Sequence, residues 1–140
     1  MTTQTVFSLE ELYRFSLLLL EPEIPKTIVL QGELGSGKTS FVRCFLQQFG
    51  LQQEVTSPTF TLMNIYSNHE IIIHHFDLYR INNAAEASEW GFEEFVRDCD
   101  YAFIEWAERA QELIPTPHTF VQLEYGSSPE ARLVSLSIRN

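Results

Sequence analysis

Between residues 32 and 39 the chain reads Gly-Glu-Leu-Gly-Ser-Gly-Lys-Thr. This fits G-x-x-x-x-G-K-[ST] at every fixed position, and each fixed residue has a job on a nucleoside triphosphate. The glycines let the chain curl so that successive backbone N–H groups face phosphate oxygens. Lys38 would reach the terminal phosphates and the Thr39 hydroxyl would ligate Mg²⁺. A glycine-rich turn that binds nothing is the competing reading. The flanks argue against it: Thr27-Ile28-Val29-Leu30 has the run of a buried strand, and residues 39–49 carry Phe41, Val42, Phe45, Leu46 and Phe49 on one helical side. Strand, glycine loop and helix N-terminus in that order are what an anion site requires.

Phosphate binding becomes hydrolysis when an acid at the end of a neighbouring strand holds the metal shell or orients water. Two segments offer one. Residues 71–76 (Ile-Ile-Ile-His-His-Phe) run into Asp77, and residues 101–104 (Tyr-Ala-Phe-Ile) run into Glu105. Both carboxylates stand where an apolar strand leaves the sheet, the usual ligand position in open α/β sheets. His75 and Asp77 share a strand face, the beginning of a transition-metal site, but no third ligand accompanies them. His69, His74 and His118 read as structural or solvent-facing. A third segment, Val55-Thr56-Ser57-Pro58-Thr59-Phe60, crowds three hydroxyls around a proline soon after the loop helix. It reads either as an ordinary Ser/Thr turn or as a loop that senses the γ-phosphate and changes order on hydrolysis.

The elements that must hold these residues are legible in outline. Ser8 and Glu11 have capping-box spacing, and Leu9, Leu12, Phe15 and Leu19 form a helical stripe, with Glu10 and Arg14 an i,i+4 pair. Pro22 and Pro25 end that helix. Residues 59–66 and 70–76 are expected as strands of an antiparallel hairpin. Residues 83–96 look helical in two pieces broken near Gly91. A closing hairpin, 119–124 with 132–138, turns through Gly126-Ser127-Ser128-Pro129. The expectation is an α/β fold: one P-loop NTPase-like domain over residues 1–140, with a mixed central sheet flanked by helices and antiparallel hairpins.

Composition narrows the function. With 140 residues and 44% hydrophobic content the chain can build a real core. Leu17–Leu20 is too short to span a bilayer, no basic leader precedes it, and Cys44 and Cys99 lack CxxC spacing. A cytoplasmic protein with no membrane contact is expected. The net charge is −10, from nineteen carboxylates against nine Lys and Arg, and the cations are scattered. Nucleic-acid affinity comes largely from cations that neutralise phosphates, so independent RNA or DNA binding is not expected. Nine of the carboxylates fall between Glu86 and Glu112, a solvated helical face or a docking face for a basic partner.

Taken in order, these segments resemble the TsaE (YjeE) family, the bacterial ATPase of tRNA threonylcarbamoyladenosine biosynthesis. GELGSGKTSFVR resembles its phosphate loop, VTSPTFTL its switch loop, HFDLYRI its Asp motif, EWGFEEF its Glu/Gly segment and IEWAERAQELIP its Walker-B-like stretch. Glu33, Ser36 and Cys44 stand where Asp, Ala and Gly are common in the family. The resemblance implies that ATP is held by Glu33, Leu34, Gly35, Ser36, Gly37, Lys38, Thr39 and Ser40, with Trp106 beside the nucleotide. It implies Mg²⁺ on Thr39 and Glu105, catalysis by Lys38, Asp77 and Glu105, and a switch formed by Thr56, Ser57 and Thr59. The implied partners are TsaB and TsaD, with tRNA met only through that complex. TsaD would transfer the threonylcarbamoyl group in tRNAs reading ANN codons, and this ATPase, weak alone, would reset the complex between turnovers. A small-molecule kinase using the same loop lacks an arginine-rich lid here, and no N-K-x-D-like guanine signature supports a GTPase. A non-catalytic nucleotide-gated interaction module is the remaining alternative.

Overall fold

The computed structural model describes residues 1–52, 55, 58 and 62–140. Among them, seven strands form one sheet in the order β1-β7-β6-β2-β5-β4-β3. These are β1 (Thr2–Val6), β2 (Thr27–Gln31), β3 (Met63–Ser67), β4 (Ile72–Asp77), β5 (Tyr101–Glu105), β6 (His118–Tyr125) and β7 (Arg132–Arg139). The four central strands β6, β2, β5 and β4 are parallel. Antiparallel pairs close both edges: β7 and then β1 beside β6, and β3 beside β4. The mixed sheet with antiparallel hairpins is therefore as expected. The edge strand β1 was not foreseen. Its Thr-Thr-Gln-Thr-Val run buries only Val6, so it carries almost no hydrophobic pattern, and it exists by pairing with β7.

Successive residues of a strand face opposite sides of the sheet, so each central strand feeds two cores. Ile28 and Leu30 of β2, Ile73 of β4, Phe103 of β5 and Leu123 of β6 face one core. That face is covered by α1 (Leu9–Ser16) and α2 (Lys38–Gln47), through Leu12, Phe15, Phe41 and Phe45. Val29, Phe76, Ala102, Ile104 and Phe120 face the other core, under α3 (Ala84–Trp90) and α4 (Phe92–Arg97). Burial on both faces explains why β2 and β5 read as near-continuous apolar runs.

Local signals account for the helix ends. Ser8 accepts from the Glu11 N–H at 3.1 Å, and the Glu11 carboxylate reaches back one residue further than a capping box requires, to the Phe7 N–H at 3.0 Å. Arg14 bonds Glu10 at 2.7 Å. The stripe is narrower than expected, because Leu9 is 65% exposed while Leu12, Phe15 and Leu19 are buried. After Ser16 the chain tightens into a 3-10 turn, Leu17–Leu20, before the prolines. The α2 helix ends at Gln47, two residues short of the expected limit, yet Phe49 still packs on the core. Asn83 caps α3, and Gly91 at φ 101° divides α3 from α4, a left-handed conformation that glycine adopts without a Cβ penalty. The β3–β4 hairpin is antiparallel as expected; β3 runs from Met63, after Leu62 at φ 67°, and residues 59–61 of the expected strand lie outside the described residues.

Candidate nucleotide site

Parallel strands β6, β2, β5 and β4 all end at the same edge of the sheet, and the glycine loop, Asp77 and Glu105 converge there. The loop after β2 curls through a turn in which the Ser36 N–H donates to the Glu33 carbonyl at 2.9 Å. It then enters α2, whose first turn supplies backbone N–H groups that the helix itself does not use. Beside it lies an open cavity of about 1060 Å³. Its walls include Lys38, Thr39, Ser40, Asp77, Glu105 and Trp106, together with the loop residues Glu33, Leu34, Gly35 and Gly37. Ser36 does not line it and is fully buried behind the loop. The other sequence-nominated residues of the site are thus brought together. Thr56, Ser57 and Thr59 lie outside the described residues.

The two acids end neighbouring strands in direct register, Asp77 opposite Glu105, and both are buried. The Asp77 Oδ1 accepts the Tyr79 N–H at 2.9 Å, which turns the chain sharply after β4. The Leu78 N–H donates to the Glu105 carbonyl at 3.0 Å, tying the two strand ends together. Glu105 divides its carboxylate. Oε2 meets the His75 Nε2 at 2.6 Å, while Oε1 stands 3.9 Å from the Lys38 ammonium. That second distance is a charge contact and not a hydrogen bond. The ammonium instead donates to the Gly32 carbonyl at the start of its own loop.

His75 and Asp77 do share a face, but His75 is engaged with Glu105. Among the described residues, no group of three His, Cys, Asp or Glu is gathered for a metal ion. His74 bonds the Phe95 carbonyl and His118 the Pro115 carbonyl; both are buried, and His69 is exposed.

Sequence reasoning missed the contribution of the closing hairpin. Because β6 lies next to β2, its end brings Gln122, Glu124 and Tyr125 to the cavity. The Tyr125 hydroxyl donates to the Leu34 carbonyl at 2.7 Å, and Arg132 stacks on the Tyr125 ring at 4.7 Å. A Cβ built on Gly35, at φ 79°, would come within 2.8 Å of that hydroxyl. The loop is thus braced from outside by residues nearly a hundred positions away. No spacing rule could have found them; only the sheet order does. Tyr79, whose ring meets Trp106 edge-on at 4.9 Å, forms the opposite rim with Arg109 over both rings.

A second, smaller cavity of about 300 Å³ adjoins the loop on its far side. It shares Gly35, Gly37 and Ser40 with the first and is walled by Phe7, Leu9 and Glu130. Among the described residues, no helix is long and apolar enough to cross a membrane.

Comparisons with known proteins converge on one family. The family model described as "Threonylcarbamoyl adenosine biosynthesis protein TsaE" matches residues 6–134. The tRNA threonylcarbamoyladenosine biosynthesis protein TsaE of Haemophilus influenzae is 36% identical over 114 residues, covering 80% of this chain and 72% of the relative. The protein of the same name from Rickettsia prowazekii is 38% identical over 122 residues, covering 86% and 84%. Among solved structures, Bacillus subtilis YdiB superposes with a TM-score of 0.75 at 22% identity, covering 99% of this chain and 86% of that one, a likeness of fold.

Proposed function

The chain belongs to the TsaE family, which serves tRNA threonylcarbamoyladenosine biosynthesis, and on that footing we propose that it is a Mg²⁺-dependent ATPase acting on a TsaB–TsaD complex. Its hydrolysis would support turnover of that complex in modifying tRNAs that read ANN codons, without transferring the threonylcarbamoyl group itself. The observation that carries this reading is the convergence of Lys38, Thr39, Asp77 and Glu105 on one cavity at the ends of parallel strands.

The residues present fit ATP and Mg²⁺. The cavity is large enough for a nucleoside triphosphate, and its floor offers the N-terminal turn of α2, an ammonium and a hydroxyl. The Thr39 hydroxyl and the Glu105 carboxylate would hold Mg²⁺; two protein ligands suit an ion that takes most of its shell from phosphates and water. Bound there, the ion would neutralise charge on the β- and γ-phosphates. Lys38 would exchange the Gly32 carbonyl for phosphate oxygens and stabilise charge as it shifts in the transition state. Asp77, in register with Glu105 on the next strand and on the cavity wall, would orient water or the metal shell. Trp106 would lie along the nucleotide. The second cavity joins the first at Gly35, Gly37 and Ser40, and Phe7 and Leu9, 54% and 65% exposed, give it an apolar wall suited to the adenine. Thr56, Ser57 and Thr59 keep the switch role that the family resemblance gives them.

The charge balance supports the division of labour, since a chain of net charge −10 need not grip tRNA directly. The test is reconstitution of threonylcarbamoyladenosine formation on an ANN-reading tRNA with TsaB and TsaD. Modification should proceed through repeated turnovers with the wild-type chain and stall with Glu105→Ala. Multiple turnovers with a hydrolysis-dead chain would favour a nucleotide-gated binding module instead.

A further inference from the structure

We propose that His75 is a positioning residue that aims Glu105 at the cation and keeps it from being neutralised by Lys38. The inference rests on the reading of Glu105 as a Mg²⁺ ligand. His75 has no exposed surface and sits on β4, on the sheet face that α2 covers. Its Nε2 lies 2.6 Å from Oε2 of Glu105, which belongs to the adjacent strand β5. The other oxygen, Oε1, is left toward Lys38 and the cavity.

A buried carboxylate 3.9 Å from a part-buried ammonium is drawn toward it, because opposite charges attract more strongly away from bulk water. The pair nevertheless stays beyond hydrogen-bond distance. Each member is held by something else: Lys38 by the Gly32 carbonyl, Glu105 by His75. The restraints leave one ammonium and one carboxylate oxygen separately available, the first for phosphate and the second for a metal. Without the imidazole, Glu105 is free to pivot onto Lys38, and both lose their purpose.

The ring's second nitrogen supports this assignment. Nδ1 is buried and has no hydrogen-bond partner among the described residues. The Glu105 carboxylate can only accept, so the contact at Nε2 calls for a proton there, and a proton on Nδ1 would be a buried donor with no partner. The arrangement therefore favours the tautomer with its proton on Nε2, which donates to Glu105. Hydrogen bonds of this kind to metal ligands commonly change metal affinity by about 10–100-fold when removed.

The experiment compares His75→Met with His75→Gln, side chains of similar length of which only Gln carries an N–H donor. The full chain, saturated with ADP, is titrated with MgCl₂ by calorimetry. The half-saturating Mg²⁺ concentration should rise about 10–100-fold in H75M and stay within about threefold of wild type in H75Q. Equal shifts in the two variants, or no shift in H75M, would overturn the proposal. A wild-type chain that shows no Mg²⁺ dependence would instead remove the Mg²⁺ reading on which it rests. Ring ¹⁵N shifts of His75 in the wild-type protein test the same point without a substitution. Protonation on Nε2 is expected, and a proton on Nδ1 alone would refute donation to Glu105.

Discussion

Replacing Gly35 by Ala strikes the glycine loop at the point where the closing hairpin braces it. Two costs arise. The backbone at Gly35 is left-handed, φ 79°, which costs a residue with a Cβ about 1–2 kcal/mol. The new Cβ would also stand 2.8 Å from the Tyr125 hydroxyl, so the phenol must swing away. That movement gives up its 2.7 Å bond to the Leu34 carbonyl, about 1 kcal/mol for an exposed hydrogen bond, and loosens the stack on Arg132. Gly35→Ala should therefore destabilise the wild-type fold by about 2–3 kcal/mol. In a Tyr125→Phe background the hydroxyl is already gone, and the same substitution should cost only the backbone share, about 1–2 kcal/mol. Urea unfolding of the four proteins gives the cycle, and the effect of Ala on the unfolded chain cancels between its two arms. A coupling of about 1 kcal/mol is expected. Additivity within about 0.3 kcal/mol would refute the claim that Tyr125 braces the loop.

Glu105→Ala should impair Mg²⁺-dependent hydrolysis more than nucleotide binding, measured by phosphate release and by calorimetry without Mg²⁺; equal losses would point to a structural role. Trp106 is 38% exposed at the cavity rim while Trp90 packs against Phe76, so a Trp90→Phe protein should report ATP by a change in Trp106 fluorescence. An unchanged spectrum at saturating ATP would remove Trp106 from the nucleotide's surroundings. The Cys99 thiol is pushed up to about 11, chiefly by burial, with a His74 backbone hydrogen bond opposing and Asp100 and Asp98 adding. Because the folded value lies above the unfolded one, its contribution is intact below about pH 8.5 and is lost as pH rises through 11. Stability should fall over that window less steeply in Cys99→Ala, as followed by thermal unfolding.

The residues that gather at the cavity were more legible in the sequence than the way the fold gathers them. Lys38 and Thr39 announce themselves through the spacing of the glycine loop, and Asp77 and Glu105 because each ends an apolar strand. The break at Gly91 and the capping by Ser8 and Asn83 are local too, set within a few residues. The relations that complete the site are not local. The register of Asp77 with Glu105, the bond from His75 to Glu105 and the reach of Tyr125 to Leu34 all depend on strand order. Strand order is a property of how two cores are shared across one sheet, and no window of the sequence contains it. The strand β1 escaped for the complementary reason: four of its five residues are exposed, so hydrophobic periodicity has nothing to register.

The central claim is that the loop from Gly32 to Thr39 hydrolyses ATP when its partners are present. The most direct measurement is inorganic phosphate release from Mg²⁺–ATP by the wild-type chain and by Lys38→Ala, each with and without purified TsaB and TsaD. Slow release by the wild type alone, stimulation by the partners and a loss of about 10³-fold in Lys38→Ala, roughly 4 kcal/mol of transition-state stabilisation, are expected. Release by Lys38→Ala at the wild-type rate, or a wild-type chain that TsaB and TsaD neither bind nor stimulate, would contradict the account.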